Sequence, residues 1–366
     1  MSVNILDRVL SSRENKTRQE FNPLELLNIL FKLISGKEAE VLRRRFGLNT
    51  KGRETLEVIG EAYGVTRERI RQIESQAIEK IKTAPNFHEI IQPVEQLMIS
   101  LLENHGGVLT KELMFELLTF ELDKSLQTKQ AIYFILAKLL DDKIEEITLS
   151  QKYISGWKLR LTSMAFVDEV INGLEQVINQ AKAPQTLEKL YQNFQEQEIY
   201  QAHQNQLSED VILSYLHISA RLAKNPFDEY GLASWGQVVP KRMNDRVGLI
   251  LKKVGKPMHF EDIAKHISKI FKKKAYPPTV HNELILNDEY VLVGRGIYAL
   301  AEWGFKEGVV SSVIAEVLKK ANRPLTRNEV VEGVLKQRIV KKNTIHLALT
   351  DKEKFLKTRD GKYINA

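Results

Sequence analysis

The sequence predicts a mainly α-helical chain: a helix-turn-helix near the N-terminus, then four modules, each of three helices and a β-hairpin. Two patterns predict it. Between Thr55 and Lys82, apolar residues recur at helical spacing on either side of a glycine turn. Further on, one pattern of apolar helix, turn and polar cap returns with a period near 70 residues. A chain of 366 residues has room for several such small modules.

Composition narrows the class. Hydrophobic residues make 43% and charged residues 28%, the balance of a folded protein. With no cysteine there is no disulfide scaffold, thiolate zinc site, iron–sulfur cluster or thiol nucleophile. No apolar run reaches the length of a membrane span, and MSVNILDRVLSSRENKTRQE has no signal-peptide pattern, so a cytoplasmic, nucleoid-associated protein is expected. The net charge of +7 makes a polyanion a candidate partner. That charge is uneven: +1 over 1–23, +3 over 24–84, −3 over 85–160, −6 over 161–239, +5 over 240–303 and +7 over 304–366. Two basic ends flank an acidic middle, which disfavours one continuous polyanion surface. Ordinary solvated surfaces are the alternative for any single segment.

In the helix-turn-helix, Leu56, Ile59 and Tyr63 form the stripe of a short helix, Gly64 the turn and Thr66 the N-cap of the next helix. Ile70, Ile73, Ala77 and Ile81 must face the core. The opposite face carries Glu68, Gln72, Ser75 and Glu79, with Arg67 in the first turn, where a recognition helix meets the major groove. Arginine suits guanine, glutamine adenine and glutamate the cytosine amine. Arg69 and Arg71 suit phosphates. A solvated face with i,i+4 pairs is the structural alternative. An acidic residue in a groove-facing stripe argues against it, because it opposes phosphate unless it reads a base.

The repeat shows in GGVLTKEL, APQTLEKL, KPMHFEDI and RPLTRNEV, where Thr110, Thr186, His259 and Thr326 hold one position, spaced 76, 73 and 67. Threonine there can cap the next helix. Third helical stretches follow at Thr128–Leu140, Ser208–Leu222, Thr279–Leu286 and Thr344–Leu349. Hairpin signals then flank Gly294–Arg295 and Arg359–Gly361. Trp157, Trp235 and Trp303 close three repeats as expected core residues, with base stacking the alternative. Three helices and a hairpin make a winged helix. The expected domains are an extension (1–23), the helix-turn-helix (24–84), acidic repeats at 85–160 and 161–239, and basic repeats at 240–303 and 304–366. Winged helices bind DNA or protein. Charge points the acidic pair to spacing or protein contact, and the basic pair, with Lys272, Lys273 and Lys274 in a row, to DNA phosphate.

Two resemblances rest on these residues. EAEVLRRRFGL (Glu38–Leu48) followed by TLEVIGEAYGVTRERIRQIE (Thr55–Glu74) resembles region four of primary bacterial sigma factors. The resemblance implies a domain that reads the minus-35 element and contacts the flap of the polymerase beta subunit. By it Arg67, Glu68 and Gln72 would read bases, and Lys37, Arg43, Arg45, Arg69 and Arg71 would contact phosphates. Leu24–Ile34 would be the helix nearest the flap. Sigma regions two and three are not expected in the 23 residues before Leu24 or after Pro85. KPMHFEDIAKHI with YVLVGRGIYALAEWG resembles a HARE-HTH domain, a winged helix of the polymerase delta subunit also fused to some restriction and chromatin proteins. It spans about 242–304 and implies no residue-level site.

Catalytic chemistry is not expected. Gly36–Lys37 lacks the upstream glycine of a phosphate loop. His259 and His266 suit a helix cap and a surface position better than metal ligation. Asp351, Glu353 and Lys354 lie too close together for a restriction-type nuclease site, and no nucleophile–base–orienter trio stands out. The sequence therefore reads as a nonenzymatic, cofactor-free, sequence-specific transcription regulator that binds double-stranded DNA and associates with bacterial RNA polymerase. The alternatives are an adaptor that occupies the flap in place of a sigma domain, and a DNA-targeting subunit of a restriction or defence system.

Overall fold

The computed structural model describes residues 21–49, 52–119, 124–305 and 308–366. Two compact units result. One is Met1–Ala223 with Tyr230–Leu232, and the other is Lys224–Glu229 with Ala233–Ala366.

The described part of the first unit begins with α1 (Pro23–Leu30), capped by Asn22, whose side chain accepts from the amides of Leu24 and Glu25. A single tight turn follows over Phe31–Leu33, so the stretch Leu24–Ile34 is a helix plus a turn rather than one helix. Ser35 and Glu38 form a capping box that starts α2 (Gly36–Phe46). Then come α3 (Leu56–Tyr63) and α4 (Arg67–Thr83), capped by Thr55 and Thr66. Between them Gly64 is left-handed, at φ 64°. Gly60 is needed for a different reason: a Cβ there would sit 2.7 Å from the carbonyl oxygen of Val65. Only two glycines allow so tight a turn. Val41, Ile59, Ile70 and Ile73 fill the small core beneath it.

One element order then returns four times. First come α5 (Phe87–Asn104), β1 (Val108–Thr110), α6 (Lys111–Leu118), α7 (Leu126–Phe134), β2 (Ile144–Ile147) and β3 (Gly156–Leu159). The last turn of α7 widens into a π-turn over Ile135–Leu139. β3 lies between β1 and β2, antiparallel to both. Next are α8 (Met164–Ala181), β4 (Gln185–Thr186), α9 (Leu187–Phe194), an inserted α10 (Glu198–His203), α11 (Glu209–Ile218), β5 (Leu222–Lys224) and β6 (Glu229–Leu232), with β6 central. Here the helix expected over Ser208–Leu222 stops at Ile218 and Leu222 opens a strand.

The second unit carries α12 (Met243–Val254), β7 (Met258–His259), α13 (Phe260–Phe271), α14 (Pro277–Leu286), β8 (Tyr290–Gly294) and β9 (Ile297–Leu300), with β9 central. It ends with α15 (Val310–Ala321), α16 (Arg327–Leu335), α17 (Lys342–Ala348), β10 (Phe355–Lys357) and β11 (Tyr363–Asn365). In this last case Leu325 stands in for the first strand, exchanging backbone hydrogen bonds of 3.1 and 2.7 Å with Tyr363. The aligned residues Thr110, Thr186, His259 and Thr326 all cap the helix that follows them. Trp157 is buried, whereas Trp235 and Trp303 are half-buried.

Packing ignores the break expected at residue 84. Leu27, Leu30, Phe31, Leu42, Phe46, Ala77 and Ile81 share one core with Met98, Leu102, Leu109, Phe134, Ile135 and Trp157. Phe134 packs edge-on against Phe31 at 5.9 Å and Phe46 at 4.7 Å between ring centroids. Lys82 of α4 pairs with Asp141, across the same junction. Truncating Phe134 to alanine should therefore cost about 3–5 kcal/mol. It should also accelerate hydrogen exchange at α4 amides, which lie in another part of the sequence. Unchanged exchange in α4 would show that the helix-turn-helix folds independently.

A second expectation concerns the last module. The Glu329 carboxylate accepts from the Arg323 guanidinium at 2.8 Å and from the Thr326 amide at 2.7 Å and hydroxyl at 2.8 Å. The Arg323 hydrogen bond first, then those from Thr326, draws its pKa down from 4.5 to about 2. A depressed carboxylate pKa stabilises the fold above its unfolded value, and that contribution is lost as pH falls through the folded one. The stability of the chain should thus decline between pH 4.5 and about 2 by a component that Glu329→Gln removes. Parallel curves for the two proteins in acid urea titrations would refute this.

Candidate nucleic-acid interface

Helix α4 presents two faces. Ile70, Ile73, Ala77 and Ile81 are buried, as their spacing requires. Arg67, Glu68, Arg69, Arg71, Gln72 and Ser75 are exposed on the other side. The three candidate base readers therefore lie together, at the start of a helix whose N-terminal dipole end faces outward with them.

Each candidate reader is held by a neighbour. The Arg67 guanidinium lies 3.4 Å from the Glu57 carboxylate of α3, both about two-thirds exposed. Arg71 grips Glu68 with its Nε 2.9 Å from Oε2 and its Nη2 2.7 Å from Oε1. This bidentate contact lowers the Glu68 pKa and raises that of Arg71. Arg69 donates to the Gln72 side-chain oxygen at 3.2 Å. Two residues suited to phosphates thus orient two residues suited to bases. Exposed pairs of this kind are weak because solvent screens them, so they can open for a ligand.

The other candidate cations are less alike than their sequence suggested. Lys37 is exposed, with its ammonium 5.3 Å from the centre of the Tyr63 ring. Arg43 donates to Asn28 at 3.4 Å and lies over Phe31. Arg45 is half-buried, bonded to Glu74 at 3.3 Å and to the Glu54 carbonyl at 3.3 Å. It ties α2 to α4. Arg44, which sequence reasoning passed over, bonds Glu54 through both Nε and Nη2, at 3.0 and 2.5 Å. Opposite charges ten residues apart across a loop gave no periodic signal for that pair. Glu57 was equally hidden, although the Glu68–Arg71 spacing of three was visible.

Lys272, Lys273 and Lys274 belong to the second unit. They form an exposed turn after α13, with Lys272 left-handed at φ 49° and Lys274 over the Tyr276 ring at 4.8 Å. His259 caps α13, and the His266 ring bonds the Asp262 carbonyl at 2.8 Å. Among the described residues no cluster of His, Asp or Glu could hold a metal ion, and no helix is long and apolar enough to cross a membrane.

The geometry defines a helix-turn-helix with an outward polar recognition face. Comparison with known proteins finds a likeness over this part: residues 31–83 match the family described as Sigma-70, region 4. A stretch of 68 residues is 47% identical to the RNA polymerase sigma factor SigA of Microcystis aeruginosa and to that of a Synechocystis strain. The match covers 19% of this chain and 16% of each relative. Residues 31–83 are thus similar to sigma-70 region 4, and the chain spans about 16% of the length of the curated relatives it matches.

The Glu68 pair makes a prediction of its own. The Glu68 carboxyl should titrate below the usual glutamate range in carbon-detected NMR, and Arg71→Ala should return it to that range, because Arg71 is the main cause of the shift. An unshifted Glu68 in the parent protein would mean that the pair does not persist in solution.

Proposed function

We propose that this protein is a nonenzymatic, sequence-specific transcription regulator that binds double-stranded DNA at a minus-35-like element and associates with bacterial RNA polymerase. The observation that carries the reading is the joint exposure of Arg67, Glu68 and Gln72 on the second helix of a helix-turn-helix that is similar to sigma-70 region 4. Arg67 would face guanine, Gln72 adenine and Glu68 the cytosine amine, once Arg69 and Arg71 turn from them to the flanking phosphates. Lys37 and Arg43 would add backbone contacts.

We read the four repeats as winged helices, in support of which the first and third have the helix–strand–helix–helix–strand–strand order, the second adds one helix to it, the fourth has the Leu325 bridge in place of the first strand, and the last strand is central in the first three sheets. The repeat at about 242–304 would be HARE-HTH-like. In the last repeat Lys341, Lys342, Lys357 and Arg359 are exposed on the third helix and the hairpin, which suits phosphate contact. The competing reading, an adaptor seated on the polymerase flap, has weaker support. It would use the Leu24–Ile34 segment, whose Leu26, Leu27, Leu30 and Phe31 are already buried within the first unit.

A binding selection with the full chain tests base reading. Arg67→Ala and Gln72→Ala should each cost about 1–3 kcal/mol on the preferred site and relax preference at one position. Unchanged preference would defeat the proposal. A salt titration on a long duplex tests the basic end. Each phosphate contact contributes a slope of about −0.9, so a chain ending at Pro240 should show a flatter dependence with preference intact. An unchanged slope would assign the last two repeats to a protein partner.

A further inference from the structure

Within the first unit, a pocket of about 260 Å³ opens between the helix-turn-helix and the first repeat. Its walls are aromatic and cationic together. Phe115 of α6, Tyr133 of α7 and Trp157 of β3 supply the rings. Arg53, which precedes α3, and Lys111 and Lys129 supply the charge. Arg53 lies 5.2 Å from the centre of the Tyr133 ring, Lys111 5.4 Å from the same ring and 5.7 Å from Trp157, and Lys129 4.8 Å from Phe115. Lys111 is neutralised by Glu146, which also accepts from the Tyr133 hydroxyl at 3.2 Å. No carboxylate among the described residues pairs with Arg53 or Lys129, and both are exposed. Among the described residues Glu112 is the one acidic residue lining the pocket, so the described lining is net positive. It is so although the segment 85–160 carries −3 overall.

We propose that this pocket binds one nucleotide, its base against Tyr133 and the edge of Trp157 and its phosphate between Arg53 and Lys129. A simple anion site would not need three aromatic walls, and an apolar ligand would not need two uncompensated cations. At about 260 Å³ the pocket lies below the roughly 300 Å³ at which pockets for drug-sized ligands begin, so it would take the base and leave the phosphate at the exposed Arg53 and Lys129. Gln130 on the lining offers an amide to the base edge. Arg53 and Lys129 now cover ring faces. Both are long side chains at the surface, free to swing from a ring to a phosphate that carries full charge. The same chemistry is offered by a free nucleoside phosphate and by an unpaired base in single-stranded nucleic acid.

The test uses the full chain and its tryptophan fluorescence. Probes are adenosine and guanosine monophosphates, a short oligothymidine strand, its duplex form and inorganic phosphate. Saturable quenching by a monophosphate or by the single strand is expected, and inorganic phosphate should not compete at equal concentration. Lys129→Gln and Arg53→Gln should each weaken it by about tenfold, since each removes a charge-assisted contact to the phosphate. Tyr133→Leu should do the same, and the two surface variants keep the test valid if this one unfolds. Preference for the monophosphate assigns a free nucleotide, and preference for the strand assigns an unpaired base. Failure of every probe to saturate, equal binding of phosphate, or full affinity in the double variant Arg53→Gln, Lys129→Gln would overturn the proposal. None of these residues lies on α4, so duplex preference measured in the same variants reports separately on base reading.

Discussion

Phe134 is a wedge driven between two elements that are distant in the sequence. Its ring meets Phe31 and Phe46 edge-on, the geometry that aromatic quadrupoles favour. Because it is fully buried, it sets how far the first repeat stands from α1 and α2. Those helices in turn fix α4, through Ala77 and Ile81 in the same core and through the Arg45–Glu74 and Lys80–Glu38 pairs. On its own, the helix-turn-helix closes over only four buried residues, Val41, Ile59, Ile70 and Ile73. So small a core gives little stability. The outward polar face of α4 is therefore as rigid as its attachment to the repeat behind it.

The helices of this region were legible because period and caps agreed. Ile70, Ile73, Ala77 and Ile81 were placed inside by spacing alone, and all four are buried. Thr110, Thr186, His259 and Thr326 were aligned by pattern, and all four cap helices. Local physics suffices for both features: one is a 3.6-residue repeat, the other a hydrogen bond across three residues. What the pattern could not show is which apolar faces meet. Thr83 and Ala84 end a helix, and a Pro follows, so a boundary was the natural reading. The core crosses that point because Phe31, Phe46 and Phe134 meet from segments about a hundred residues apart, a contact with no period. The insertion of α10 was hidden for a related reason, since a six-residue helix shows barely one turn of pattern.

The candidate site divides the same way. Which residues face outward on α4 was readable from the helix period. Which of them are engaged was not. Arg43, Arg44 and Arg45 look equivalent in a row, yet the fold gives them an amide oxygen, a bidentate carboxylate and a shared carboxylate with a backbone carbonyl. A run of like charges in a sequence is thus a poor count of free cations. The relevant quantity is the number left after the tertiary structure has assigned partners.

That distinction also bears on the acidic middle of the chain. A summed charge of −3 over 85–160 suggests a segment that repels anions. Charges interact over about 10 Å at moderate salt, so only local neighbours count. In this segment Glu95 is taken by Lys143, Glu145 by Lys158 and Glu146 by Lys111. Arg53 then arrives from the helix-turn-helix beside Lys129, and the two stand over rings instead of carboxylates. The junction that buries Phe134 is the same one that assembles this positive, aromatic surface from an acidic segment. Stability and local electrostatics at that point have a common origin, the docking of the helix-turn-helix on the repeat that follows it.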